Sequence, residues 1–71
     1  MVQIEFRLRG EHIPLCDLLK LTGVADSGGQ GKVLAASGEV KVDGEVETRK
    51  TAKIRPGQQV ECHGTRILVK I

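Results

Sequence analysis

Within 71 residues the apolar period changes from two to that of a helix and back to two, which restricts the folds available. Val2, Ile4, Phe6 and Leu8 alternate with Gln3, Glu5 and Arg7, predicting a half-buried strand that Gly10 ends. Leu15, Leu18 and Leu19 then fall at helical spacing, with Pro14 expected at the first helical position and Gly23 as the stop. Ser27 followed three residues later by Gln30 is a capping-box pattern. It opens a second helix through Val33, Leu34, Ala35 and Ala36, closed by Gly38. From Glu39 onward the alternation is again that of strands. The pattern predicts an α+β fold: a strand, two short helices, then a small, mostly antiparallel sheet on which the helices pack.

Two hairpins are readable. A turn at His63-Gly64 would set Val60 opposite Ile67 and Glu61 opposite Arg66, so packing and charge select one register. At Asp43-Gly44 a two-residue turn would oppose Val42 with Glu45 and put Val46 on the Lys41 face. A three-residue loop with Gly44 left-handed would match Val42 with Val46, and this is the register expected. "RPGQ" carries the proline-glycine signature of a type II turn.

The length suits one small domain spanning 1–71, with no linker, repeat or low-complexity tract. Charge interrupts every apolar stretch, so neither a signal peptide nor a membrane span is expected. Two cysteines without a secretion signal imply free thiols in a reducing cytoplasm. Net charge is only +2, and Phe6 is the sole aromatic residue. Such a chain has no ring platform on which to stack unpaired bases. Any RNA recognition would rest on phosphates and shape.

The densest motif is "DSGGQGKVLAASG", residues 26–38. It is not a nucleotide-binding P-loop: Asp26 stands where the first glycine should, Val33 follows Lys32 where a hydroxyl is needed, and a helix precedes it. Gly28-Gly29-Gln30-Gly31 is formally the G-x-x-G with which KH domains clamp an RNA backbone. The serine before it argues instead for the first turn of a helix. Glycines there permit either a phosphate at bare backbone N–H groups or close packing against another segment, and the stretch alone leaves both open.

The order of residues adds more. Leu15, Leu19, Gly23 and Ser27, then Gly38, Val40, Val42, Asp43 and Gly44, with Gly57 and Val60 later, carry the spacing of the S4 RNA-binding domain. The chain resembles that family over residues 13–62, most nearly its small stand-alone bacterial members. The resemblance implies an alpha-L motif: two helices and a following hairpin forming an RNA-facing surface, without catalysis. Positions often charged in the family hold Pro14, Cys16 and Gly28 here. The basic residues that remain are Lys20, Lys32, Lys41, and Arg49, Lys50 and Lys53 in "ETRKTAK".

The expected interface therefore comprises Ser27, Gly29, Gln30, Gly31, Lys32, Lys41, Arg49, Lys50 and Lys53. Lysine and arginine neutralise phosphate, Arg49 bidentately, while the Gly29 and Gly31 amides add short contacts. Ser27 caps the helix, and Gln30 completes the cap or reaches a ribose. The expected partner is structured RNA, with ribosomal and transfer RNA as candidates. The reading from another class is a protein–protein adaptor that keeps the fold without RNA binding. No cofactor is expected. His12, Cys16, Cys62 and His63 lack metal-site spacing, with Cys62 read as core and His63 as a solvated turn residue. No nucleophile, base and orienting group come together, so no enzyme is expected.

Overall fold

Strand β1 (Val2–Arg7) opens the fold. A two-residue strand β2 (Ile13–Pro14) leads directly into helix α1 (Leu15–Leu21), and helix α2 (Gly28–Ala36) follows. Then come β3 (Val40–Val42), β4 (Glu45–Val46), β5 (Lys53–Ile54), β6 (Gln59–Cys62) and β7 (Thr65–Lys70). This computed structural model describes residues 2–71. The main sheet has the order β1-β7-β6-β3-β4, while β2 and β5 pair separately. All pairings are antiparallel except β1 with β7, which is parallel. The α+β class and the two helices match the sequence reading.

Alternation divides the main sheet into two faces. Val40, Val60, Cys62, Ile67 and Val69 point inward and are buried with Leu15, Leu18, Leu19, Leu34 and Ala35 of the helices. Each fully buried leucine contributes roughly 1.5–3 kcal/mol relative to leaving it in water. The outer face carries the complementary set. Across it, register aligns Val46, Lys41, Glu61, Arg66 and Gln3 in one row.

The β6–β7 hairpin has the expected register, with Val60 opposite Ile67 and Glu61 opposite Arg66. The β3–β4 hairpin does not. Val42 faces Glu45 and Lys41 faces Val46, so the turn has two residues rather than three. Asp43 and Gly44 both have positive φ, at 52° and 86°, as a type I′ turn requires. Turn chemistry wins because Val46 has no core to enter; it is 56% exposed on an edge strand. Asp43 also ties this turn to the next one. Its Oδ1 accepts from the Gln59 amide at 2.9 Å and its Oδ2 from Gln58 Nε2 at 3.2 Å. Gly57, with φ at 93°, occupies the left-handed position of the expected type II turn.

Pro14 stands one residue earlier than expected. Its backbone is extended (φ −60°, ψ 141°), and it pairs with Lys53 before the helix begins.

Candidate nucleic-acid interface

The start of α1 has no side-chain cap. Its first amides are satisfied from across the molecule: Leu15 N–H donates to the Ala52 carbonyl at 2.9 Å and Cys16 N–H to the Lys50 carbonyl at 3.0 Å. Two of the orphan donors of a helix start are thereby used to hold a loop. The pairs Pro14–Lys53 and Ile13–Ile54 continue the attachment. Ala52 and Ile54 turn into the core, while Arg49, Lys50, Thr51 and Lys53 remain exposed. Residues 49–54 thus form a strap, anchored by its small and apolar residues and studded outside with cations. A shallow cleft lies along it, lined by Arg49, Thr51, Ala52 and Lys53.

The start of α2 is built differently. Ser27 is extended and its Oγ accepts from the Gln30 amide at 3.1 Å. Gln30 Oε1 accepts from the Asp26 amide, one residue before the cap, so the side chain is engaged in closing the turn. The G-x-x-G residues are the first helical turn, which removes the KH loop as a description. Gly28 and Gly29 leave their N–H groups without an acceptor among the described residues.

Gly31 has another role. A Cβ there would lie 2.8 Å from the Cys16 carbonyl oxygen and 3.2 Å from its Cα, so the two helix backbones touch where only glycine fits. The Gly31 amide already donates to the Ser27 carbonyl at 3.0 Å, and the residue is buried. The Gly31 amide is therefore already engaged and does not make the expected contact to a ligand.

Cys16 is where these pieces meet: its carbonyl lies against Gly31 and its amide is bound to Lys50. Lys32, exposed and next to Gly31, and the strap cations are thereby linked through one buried residue. Of the expected residues, Ser27, Gly29, Gln30, Gly31 and Lys32 gather at the α2 start, and Arg49, Lys50 and Lys53 on the adjoining strap. Lys41 does not join them. It lies on the outer face of the sheet, opposite Glu61 and away from the helices.

The sequence reading missed the role of Glu47. Its Oε1 accepts from Arg49 Nη2 at 2.9 Å, and its Oε2 from Arg49 Nε at 3.2 Å and the Arg49 amide at 3.1 Å. The Arg49 guanidinium, though 79% exposed, already grips a carboxylate with its fork. Those hydrogen bonds hold the Glu47 carboxyl below the usual glutamate range. The signal was the i, i+2 spacing in "ETR", which allows such a loop contact. Elsewhere, Cys62 is buried in the core as expected, and its thiol is pushed up chiefly by burial. His63 is exposed but not merely solvated, since Nε2 lies 2.7 Å from Glu39 Oε1.

A family model described as the S4 domain matches residues 6–70. An Escherichia coli K12 protein named "Putative RNA-binding protein YbcJ" is 55% identical over 58 residues, covering 82% of this chain and 83% of its own. A Shigella flexneri protein named YbcJ matches to the same extent. The solution structure of E. coli YbcJ, described as revealing an alpha-L motif involved in RNA-binding, aligns with a TM-score of 0.73. That alignment covers 94% of this chain and 86% of the other at 50% identity. With nearly its whole length matched, this chain belongs to the S4 domain family.

Proposed function

We propose that this protein binds structured RNA, without catalysing a reaction on it, through the strap and the start of α2. One observation carries the reading: the paired hydrogen bonds from Leu15 and Cys16 that hold three exposed cations, Arg49, Lys50 and Lys53, beside the helix pair. Fixed cations bind phosphate with less ordering cost than cations on a free loop. Lys32 extends the patch, and the Gly28 and Gly29 amides, which have no acceptor among the described residues, offer short donors. Ser27 and Gln30 shape that terminus. The RNA-binding name of the YbcJ relative supports the reading. One aromatic residue supports duplex or folded RNA over single strands. Ribosomal and transfer RNA are candidate ligands, in the cytoplasm.

The test is fluorescence anisotropy with a labelled ribosomal RNA hairpin at low and fourfold higher salt. Three phosphate contacts would weaken binding more than about tenfold across that range. Replacing Arg49, Lys50 and Lys53 together by glutamate should remove the binding. Unchanged affinity in that variant would overturn the proposal.

A further inference from the structure

Strand β1 is an edge, paired to β7 on one side only. The Val2 amide donates to Gly64 at 2.9 Å and the Leu8 amide to Lys70 at 2.7 Å, so even-numbered residues direct their backbone groups toward β7. Gln3, Glu5 and Arg7 therefore direct theirs outward, where a further strand would pair.

The charges on this edge are unbalanced within the chain. Arg7 stands directly opposite Lys70, a like-charged cross-strand pair. Arg7 has no ion-pair partner among the described residues, whereas Glu5 pairs with Lys70 Nζ at 2.8 Å. A carboxylate on the open side of Arg7 would correct this. The strand itself supplies one when an identical strand runs antiparallel beside it. With Phe6 opposite Phe6 of the second copy, Glu5 of each strand faces Arg7 of the other. In that register the facing residues are the ones whose amides and carbonyls point outward, so backbone pairing is satisfied too. Shifting by two residues in either direction sets Glu5 against Glu5 or Arg7 against Arg7. Charge therefore selects a single register.

We propose that the β1 edge binds a second copy of this chain, β1 against β1 antiparallel and centred on Phe6, joining two five-stranded sheets into one. Directly opposed residues share a sheet face, so the helix layers of both copies lie on the same side. Each row then reads Lys70, Arg7, then Glu5 and Leu68 of the second copy, and that Glu5 is reached diagonally by Lys70 of its own chain as well as by the facing Arg7.

The experiment is sedimentation equilibrium of the full chain over a concentration series, with circular dichroism to establish folding. Wild type should approach twice its 7.7 kDa mass. Glu5→Lys and Arg7→Glu each replace two opposite-charge pairs by like-charge pairs and should weaken the dimer about tenfold or more. The double variant restores complementarity with the signs exchanged and should dimerise again. A wild type that stays monomeric throughout, or a dimer insensitive to both single charge reversals, would overturn the proposal.

Discussion

The two helices begin in opposite ways. Helix α1 has no capping side chain and gives its first amides to the carbonyls of Ala52 and Lys50. Helix α2 closes on itself through Ser27 and Gln30, and leaves Gly28 and Gly29 bare toward solvent. One helix start is spent on structure, fixing a loop that carries cations. The other is finished locally and stays open. On the proposed interface the glycine-rich, capped terminus and the uncapped one would have complementary parts, one presenting donors and the other positioning charge.

The comparison is broken most severely by detaching the strap. Ile54 is 1% exposed and lies opposite Ile13, where β2 enters α1. Ile54→Ala should cost about 2–5 kcal/mol, by lost burial and the cavity left behind. A domain of this size has roughly 4–10 kcal/mol in all. Urea unfolding measures the loss, and a change below about 1 kcal/mol would mean that the strap is not anchored there.

A paired glycine experiment sharpens the contrast within α2. Gly31→Ala should destabilise the fold by about 1–3 kcal/mol, because the added methyl meets the Cys16 backbone, which cannot swing aside. Gly29→Ala meets only Ser27 Oγ at 3.7 Å and should be neutral or stabilising by up to about 1 kcal/mol. It should nonetheless weaken RNA binding if phosphate approaches that backbone. Equal melting temperatures for the two variants would erase the distinction between packing glycine and open glycine.

Legibility followed the number of independent signals at each place. The β6–β7 register was readable because Val60–Ile67 packing and Glu61–Arg66 charge agree. The β3–β4 register was misread because Val42 and Val46 were matched as apolar partners, although a two-residue edge strand cannot bury Val46. The capped start of α2 was visible in Ser27 and Gln30 alone. The strap was not. Its anchors are backbone hydrogen bonds from Leu15 and Cys16, formed over more than 30 residues, and neither side-chain type nor spacing records them. Lys41 was grouped with the interface by charge, but alternation along β3 sends it to the far face of the sheet.

The smallest effect concerns Glu47, which occupies the Arg49 fork that a phosphate would use. At this exposed site the pair adds little to stability, so Glu47→Gln should leave the melting temperature unchanged. It should raise RNA affinity about two- to fivefold, because a carboxylate no longer competes for the guanidinium and one negative charge is gone from the surface. Acid should act in the same direction. The folded-state pKa of Glu47 is depressed, so the ion pair is complete above the ordinary glutamate range and is lost as pH falls through the lowered value. RNA phosphodiesters stay ionised there, and the released Arg49 can turn to them. Anisotropy titrations of wild type and Glu47→Gln at neutral and acidic pH separate the cases. The advantage of the variant should be present at neutral pH and shrink as Glu47 protonates in wild type. An advantage that persists unchanged into acid would assign the effect to surface charge elsewhere, and no advantage at any pH would mean that Arg49 makes no phosphate contact.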